Sequence, residues 1–318
     1  MIHIEDFTAS QIEQAQQIAL QNYNSECEHA PTLPQVDTIP DLTPFAENGL
    51  CVAAFDGGEM VGFLCSVPPF KNTFRSTDAV GVFSPMGTNG AVGENRDKIF
   101  ACMYQAAGEK WAKAGATSHA VCLYAHDKEA QEQFFRYGFG LRCVDAIRPM
   151  ELMDFSPCDG YEFSELSQEE FASVYPLDLM LNKHQCNSPF FMHRKPDTLE
   201  SFINSYTKRS SRFFAAKYQG NLCAYLKIVK TGETFITEQS DYRHIGGAFC
   251  LPDHRGKGVY QNLLSFALST LKAEGYARLG VDFESINPTA YGFWLKYFDA
   301  YTHSVVRRID EHVITNSQ

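Results

Sequence analysis

The chain repeats one pattern at an offset of 160 residues, and this repeat limits the folds that it can adopt. Apolar residues in both copies follow the i, i+1, i+4, i+5 stripe of an amphipathic helix with one buried face. The stripe is formed by Ile99, Phe100, Met103, Tyr104, Ala107 and Trp111 in the first copy, and by Val259, Tyr260, Leu263, Leu264, Ala267 and Leu271 in the second. Both stripes stop at a glycine, Gly115 and Gly275, which predicts where the two helices end.

A segment with the period of a strand follows each helix, His119–Leu123 in the first copy and Leu279–Phe283 in the second. Asp127 and Asn287 come next, and both are favoured residues for the N-cap of a short helix. The correspondence holds without a gap across about fifty residues, and it predicts the same helix–strand–helix–strand order twice. The closing strands are expected at Cys143–Pro149 and Ser304–Ile309.

Each copy begins with helical residues followed by a hairpin. The helical segments are Ala9–Asn22 and Gln168–Leu181, and the hairpin turns contain Gly57-Gly58 and Gly220. Strands that alternate with helices predict an α/β (α+β) fold class with two tandem domains, each a mixed twisted sheet flanked by helices on both faces. Because Met153–Gly160 interrupts the pattern, we expect one domain at residues 1–153 and the second at residues 160–318.

The composition argues against several classes of protein. A net charge of −11 and a pI near 5.4 disfavour nucleic-acid binding, which needs a cationic surface. No apolar stretch approaches the ~20 residues of a membrane span, and the amino terminus lacks the features of a signal peptide. The ten cysteines include no Cys-x-x-Cys pair, so no metal site is predicted. These features predict a soluble cytoplasmic protein that acts without a metal, nucleic acid or membrane, as a monomer or homodimer.

The connection between strand and helix in the second copy has the character of an anion site. Gly256 and Gly258 allow successive backbone N–H groups to point inward without interference from a Cβ atom. The amino terminus of the following helix adds its positive dipole end, and Arg255 and Lys257 add full charges. The sequence therefore predicts a pyrophosphate site here. Because the loop is neither a Walker loop nor a Gly-x-Gly-x-x-Gly fingerprint, ATP and NAD are poorly supported.

At these residues the chain resembles the GNAT superfamily of N-acetyltransferases. The hallmark of that family is a strand followed by Gln/Arg-x-x-Gly-x-Gly/Ala, and the stretch Arg255-Gly-Lys-Gly258-Val-Tyr260 matches it except for the tyrosine at the last position. A second family signature, Asn-x-x-Ala-x-x-x-Tyr-x-x-x-Gly-Phe, has its counterparts at Asn287, Ala290, Trp294, Phe298 and Asp299. The two copies together are similar to tandem GNAT proteins across nearly the whole chain.

The resemblance implies that acetyl-CoA is the co-substrate and binds the second domain. Its pantetheine arm would pair with backbone groups of Phe249, Cys250 and Leu251. Its pyrophosphate would be held by Arg255, Gly256, Lys257, Gly258, Val259 and Tyr260. Asn287 would steady the arm or the thioester end, and Trp294 would border the cofactor at the position of the usual tyrosine.

The corresponding stretch of the first copy, Asn95-Arg-Asp-Lys98, lacks both glycines. Asp97 also places a negative charge where phosphate would bind. We therefore expect the first domain to bind acetyl-CoA weakly or not at all. The preceding segment, Met86–Gly93, does contain three glycines.

Acetyl transfer needs a group that protonates the leaving thiolate, which in the family is the tyrosine of the second signature. Trp294 stands at this position and cannot donate a proton at useful pH. Either another tyrosine replaces it, for which Tyr297 is the candidate beside Tyr291 and Tyr301, or coenzyme A leaves as a thiolate that water protonates.

The transfer also needs an acceptor for the proton of the substrate ammonium. Glu284, on the predicted strand beside Asp282, is the first candidate. Glu238 is the second and His244 the third. The alternative for Glu284 and Asp282 is a solvated or salt-bridged polar face, since most acidic residues have no catalytic role.

The sequence thus predicts an enzyme that moves an acetyl group from acetyl-CoA to a primary amine of a small molecule or peptide. One alternative is a non-catalytic acyl-CoA-binding protein with a sensor or regulatory role, because the usual tyrosine is missing. Another is a transferase of a longer acyl group. An aminoacyl-tRNA donor is disfavoured by the Arg-Gly-Lys-Gly loop and by the acidic net charge.

Overall fold

The computed structural model describes residues 1–73, 79–193 and 195–315, and the chain forms two compact units. Unit 1 contains Met1–Asp145, Phe283–Ser285 and Ala300–Gln318. Unit 2 contains Ala146–Asp282 and Ile286–Asp299. This division differs from the predicted boundary at residues 153–160 chiefly because the last strand of the chain belongs to unit 1.

Unit 1 has two sheets and two principal helices. Strands β1, β2, β3 and β5 form an antiparallel sheet in that order. Two glycines of this sheet show which helices pack against it. A Cβ atom at Gly62 would meet Ile99 of helix α3, whereas one at Gly90 would meet Ile18 of helix α1. The elements are β1 (His3–Asp6), α1 (Ile12–His29), α2 (Thr43–Ala46), β2 (Val52–Asp56), β3 (Glu59–Leu64), β4 (Gly81–Ser84), β5 (Asn89–Ala91), α3 (Arg96–Lys113), β6 (Ser118–Tyr124), α4 (Lys128–Arg136) and β7 (Gly140–Pro149).

Unit 2 has one mixed sheet in the order β12-β11-β10-β9-β8, in which only β11 and β12 are parallel. A core of Phe171, Phe202 and Phe213 packs α6 and the residues before α5 on the sheet, while α7 lies against β8, β9 and β10. The elements are β8 (Tyr161–Glu165), α5 (Tyr175–Cys186), α6 (Leu199–Lys208), β9 (Arg212–Tyr218), β10 (Asn221–Val229), β11 (Tyr242–Cys250), α7 (Val259–Ala273), β12 (Arg278–Glu284) and α8 (Pro288–Trp294).

The final strand, β13 (Asp299–Arg308), precedes a short helix α9 (His312–Thr315). Strand β13 pairs antiparallel with β6 of unit 1, from Thr302 opposite Tyr124 to Arg308 opposite Ser118. The carboxy-terminal strand therefore pairs with a strand of the first copy, inside unit 1. Among the described residues, no helix combines the length and apolar character needed to cross a bilayer.

The structure confirms the mixed α/β fold and the two predicted N-caps. The carboxylate of Asp127 accepts a hydrogen bond from the backbone N–H of Ala130 at 3.2 Å, and the amide oxygen of Asn287 accepts one from Ala290 at 3.1 Å. Each cap satisfies an N–H group that the first turn leaves without an intrahelical partner. The short helix in each copy therefore begins where the sequence predicted.

The buried stripe of α3 ends at Trp111, whose indole N–H donates to the carbonyl of Leu50 at 2.9 Å. We expect Trp111→Phe to lower the free energy of unfolding by about 1–2 kcal/mol, because it removes this hydrogen bond and leaves a small cavity. Denaturant unfolding measures the change, and Phe135→Leu on the exposed face of α4 is the control. A loss no greater than that of the control would contradict the role of Trp111.

Candidate active site

Strands β11 and β12 separate part-way along β11. Their register runs from Tyr242 opposite Arg278 to Ile245 opposite Val281, after which β11 continues along β10 as far as Cys250. Gly246 is the additional residue of a bulge in the β10–β11 ladder. Because a bulge bends and twists its strand, β11 turns away from β12 at this point and a fork opens between them.

A cleft of about 510 Å³ lies at the open end of this fork. Its wall is contributed by the end of β11, the connection to α7, the first turn of α7, α8 and the end of α5. Apolar and aromatic side chains predominate, and backbone groups of the loop add polarity, as in most small-molecule sites. Among the residues that line it are seven that the sequence predicted to bind the cofactor: Phe249, Cys250, Arg255, Gly256, Tyr260, Asn287 and Trp294.

The loop between β11 and α7 depends on two glycines with positive φ angles, 73° at Gly256 and 76° at Gly258. A Cβ atom at Gly256 would meet no described atom within 4 Å, whereas one at Gly258 would lie 3.3 Å from the sulfur of Cys158. Gly258 directly precedes α7, whose first-turn N–H groups have no intrahelical acceptors. The loop therefore presents backbone donors and a positive helix end to an anion in the cleft.

Arg255 connects this loop to the end of β11. Its Nε donates to the carbonyl of Cys250 at 2.9 Å, and its guanidinium lies 5.5 Å from the ring centroid of Phe249. Arg255 lines the cleft, whereas Lys257 is not among the described lining residues, and both side chains are exposed to solvent. This arrangement adds positive charge beside the helix end and strengthens the attraction for an anion.

Tyr260 takes the place of the small residue that the family pattern has at this position. Its hydroxyl donates to the carbonyl of Tyr225 at 3.3 Å, and its ring lies 5.3 Å from that of Phe293 and 6.0 Å from that of Trp294. Burial raises the pKa of Tyr260 well above its usual value, so the phenol stays neutral. The ring narrows the cleft beside α8.

Asn287 and Trp294 lie on opposite ends of α8. The amide oxygen of Asn287 accepts from the hydroxyl of Thr289 at 2.7 Å as well as from the N–H of Ala290, so this oxygen serves the helix. Trp294 is buried, 5.0 Å from the ring of Phe293 and 5.4 Å from that of Phe298. Contact of either residue with a cofactor stays a prediction.

Residues 177–299, which include this cleft, match the model of the acetyltransferase (GNAT) family. The chain carries a GNAT domain. No curated protein sequence matches the chain.

Three solved structures give the context of the GNAT domain. A GCN5-related N-acetyltransferase from Sphaerobacter thermophilus superposes with a TM-score of 0.58 and 10% identity, over 96% of this chain and 95% of that one. A fungal multi-domain β-N-acetylglucosaminidase with a glucosamine N-acetyltransferase region gives 0.50 and 12%, over 96% of this chain and 38% of that one. A tandem GNAT protein from the clavulanic acid pathway gives 0.46 and 14%, over 97% and 98%. At these identities the first two similarities establish the fold alone.

The first candidate for the base, Glu284, forms an ion pair with Arg142, and both residues belong to unit 1. A guanidinium in contact with a carboxylate stabilises its charged form, which makes the carboxylate a weaker proton acceptor. The sequence left open that Glu284 belongs to a salt-bridged polar face, and its ion pair with Arg142 agrees with this alternative. The catalytic role of Glu284 stays a prediction.

Glu238, the second candidate for the base, and Tyr297, the candidate for the acid, are not among the described residues that line the cleft. Glu238 is exposed at the end of the 3₁₀ turn Phe235–Glu238. The ring of Tyr297 packs 5.1 Å from that of Phe293 and 5.7 Å from that of Phe155. Their roles as base and acid also stay predictions.

The closed end of the fork contains a cluster that the sequence assigned only in part, since His244 was the third candidate for the base. The Nδ1 atom of His244 lies 2.8 Å from the hydroxyl of Tyr242, and its Nε2 atom lies 2.6 Å from the carboxylate of Asp282. Gly280 makes room for the cluster, because a Cβ atom there would lie 1.7 Å from the Tyr242 hydroxyl oxygen. Two polar residues two apart on β11 were the only sequence signal for this arrangement.

Unit 1 corrects the sequence alignment of the first loop. Helix α3 begins at Arg96, so Asp97 and Lys98 lie in its first turn and not in the loop that precedes it. The residues with positive φ before α3 are Gly93, at 82°, and Asn95, at 61°. When the two loops are aligned on the first residue of the helix that follows, Gly93 corresponds to Gly256 and Asn95 to Gly258. Unit 1 therefore retains one of the two glycines. The alignment failed because α3 extends one turn further at its amino end than α7.

Arg96 occupies the space beside this loop in unit 1. Its guanidinium donates to the carbonyl of Ala91, to the amide oxygen of Asn22 at 3.2 Å and to the carboxylate of Asp127. These contacts connect the end of β5 to α1 and to the start of α4, across a polar cleft of about 450 Å³. The guanidinium of Arg96 already donates to these protein acceptors in place of a phosphate. This supports the expectation that unit 1 binds acetyl-CoA weakly or not at all.

Proposed function

We propose that the chain is an N-acetyltransferase that moves an acetyl group from acetyl-CoA to a primary amine of a small molecule or peptide. The GNAT domain supports acyl transfer in general. The observation that carries the finer proposal is the cleft in which the Gly256–Gly258 loop, the start of α7 and the separating end of β11 meet. The cytoplasmic location and the independence from metal, nucleic acid and membrane belong to the same proposal.

The residues of the cleft fit the two ends of the co-substrate. The N–H groups at the start of α7 would bind the pyrophosphate, with Arg255 and Lys257 beside it. The backbone of Phe249, Cys250 and Leu251 lies beyond the last β11–β12 pair, so an extended pantetheine arm could add along this edge as a strand does. Bound acetyl-CoA would supply an activated thioester at the closed end of the fork.

A non-catalytic acyl-CoA-binding protein is the second candidate, and Trp294 is the observation that favours it. The indole replaces the hydroxyl that the family uses as an acid, and it is buried among aromatic rings. Transfer would then depend on water or another tyrosine to protonate the thiolate.

Thiol release from acetyl-CoA in the presence of a panel of primary amines tests the proposal. We expect release with a subset of amines, above the rate without amine, and calorimetric binding of acetyl-CoA in the micromolar range, or about −8 kcal/mol. Saturable binding without thiol release on any amine would favour the non-catalytic alternative. Failure to bind acetyl-CoA would contradict both.

A further inference from the structure

Three side chains of unit 2 form one hydrogen-bonded chain across β11 and β12. The hydroxyl of Tyr242 lies 2.8 Å from Nδ1 of His244, and Nε2 of His244 lies 2.6 Å from a carboxylate oxygen of Asp282. The rings of Tyr242 and His244 are buried, whereas the side chain of Asp282 is 38% exposed. These hydrogen bonds therefore lead from the interior of the sheet to a carboxylate that solvent and solutes can reach.

The partners of His244 determine its tautomer. An ionised carboxylate only accepts hydrogen bonds, so the proton of a neutral His244 is on Nε2 and is donated to Asp282. Nδ1 then accepts the hydroxyl proton of Tyr242. In this order Tyr242 orients the ring of His244, and His244 orients the carboxylate of Asp282.

The position of Asp282 in the fork indicates what these hydrogen-bonded side chains can do chemically. Ile245 opposite Val281 is the last pair of the β11–β12 register, and Asp282 is the next residue of β12. The carboxylate is thus attached where the two strands separate, beside Gly246 and Gly247, which carry no side chains. An extended thioester that enters between the strands would end at this point, so an acceptor amine would meet Asp282 there.

We propose that Asp282 is the proton acceptor of the transfer, and that His244 and Tyr242 are positioning residues that act through it. This inference rests on the proposed acetyltransferase function. Asp282 takes one proton from the substrate ammonium, which leaves a neutral amine with a lone pair. The amine nitrogen then bonds to the thioester carbon, the carbon–sulfur bond breaks, and the electron pair leaves on sulfur.

The remaining protons balance the reaction. The nitrogen of the new amide loses its second proton, which ends on the coenzyme A sulfur through solvent. The carboxyl of Asp282 returns its proton to solvent, so one proton is released for each ammonium acetylated. Asp282 is better placed for this cycle than Glu284, because it is the next residue of β12 after the last β11–β12 pair and its carboxylate is oriented by His244.

Asp282→Asn tests the proposal, because it keeps the size of the side chain and removes the base. We expect kcat/KM for the best amine of the panel to fall roughly 10²–10³-fold. The Kd of acetyl-CoA from calorimetry should change less than about twofold, since the carboxylate does not contact the pyrophosphate loop. Asp241→Asn is the matched control, because Asp241 is 35% exposed in the same unit but pairs with Arg278 at the opposite end of β11.

Two variants of His244 test the positioning role. His244→Gln keeps an N–H donor for Asp282, and His244→Leu removes it while filling a similar volume. We expect the glutamine variant to retain most of kcat and the leucine variant to lose as much as Asp282→Asn, with KM little changed in both. Equal losses in the two variants would overturn the positioning role.

The outcomes separate the inference from the proposed function. If the wild-type protein releases thiol and Asp282→Asn keeps kcat/KM within about threefold, the role of Asp282 is overturned while the acetyltransferase stands. If the wild-type protein binds acetyl-CoA but releases no thiol with any amine, the proposed function fails, and the role of Asp282 fails with it.

Discussion

Gly258→Glu should weaken acetyl-CoA binding about 100-fold, or about 3 kcal/mol. Two effects add up at this position. A residue with a Cβ atom at a φ of 76° costs roughly 1–2 kcal/mol, and that atom would also press on the sulfur of Cys158. A carboxylate placed before the first turn of α7 would repel the pyrophosphate by a similar amount.

Gly220→Glu is the matched control for this substitution. Gly220 has a φ of 78° in the turn between β9 and β10 of the same unit, and a Cβ atom there would meet no described atom within 4 Å. The control therefore introduces the same backbone strain and the same charge away from the cleft. Calorimetric titration of both variants decides the matter: if their Kd values agree, acetyl-CoA does not bind at the Gly258 loop.

Elements with a strong local period could be predicted from the sequence. The strands expected at His119–Leu123 and Leu279–Phe283 lie inside β6 and β12, and the helix stripes lie inside α3 and α7. The two helices bury one face each, and the apolar residues of the two strands alternate in sequence although β6 is buried along its whole length, so the spacing of these residues specifies the elements directly. Helix ends set by side-chain caps, as at Asp127, were predictable for the same local reason.

Short or irregular elements were not predictable. Strands β4 and β5 have four and three residues, too few to show a period, so the sequence did not place them, and helix α6 was not predicted. The start of α3 depends on Asn95 in the left-handed conformation, which asparagine tolerates but its sequence neighbours do not signal. A local pattern therefore placed the body of the helix correctly and its first turn wrongly.

In the candidate site, too, the features that depend on local sequence were predictable and those that depend on distant residues were not. The anion loop is contiguous in sequence, so its glycines and cations could be recognised from spacing alone. The surroundings of Glu284 depend on Arg142, which is 142 residues away, and the cluster of His244 with Asp282 depends on the register of β11 with β12. Strand register is set by burial and turns across the whole sheet, and one sequence does not reveal it.

Acidification should destabilise unit 1 through two histidines that are neutral in the folded protein. Burial is the main cause that lowers the pKa of His119 from 6.5 to about 4, and the same cause lowers that of His303 to about 4. The ring of His119 donates to the carbonyl of Ala116 and accepts from the hydroxyl of Tyr104 at 3.0 Å, a pairing that suits the neutral tautomer. Protonation would disrupt it.

The direction of this pH dependence follows from where the protons bind. Above pH 6.5 neither the folded nor the unfolded chain protonates these rings, so their contribution is fully present. Between pH 6.5 and about 4 only the unfolded chain takes up the protons, and folding is progressively disfavoured. Each histidine should cost about 2 kcal/mol of unfolding free energy between pH 7 and pH 5. Glu26, whose pKa burial raises above 4.5, acts in the opposite direction, because the folded chain takes up this proton before the unfolded chain does.

The double variant His119→Gln, His303→Gln removes both groups and should reduce the loss of stability between pH 7 and pH 5 by about 4 kcal/mol. Denaturant unfolding should be used to measure the difference in unfolding free energy between pH 7 and pH 5. The effect of the substitutions on packing is the same at both pH values, so it cancels in this difference. His3→Gln, at an exposed histidine of β1, is the control and should leave that difference unchanged. A double variant as sensitive to acid as the wild type would show that the proton uptake between pH 7 and pH 5 belongs to groups other than these two histidines.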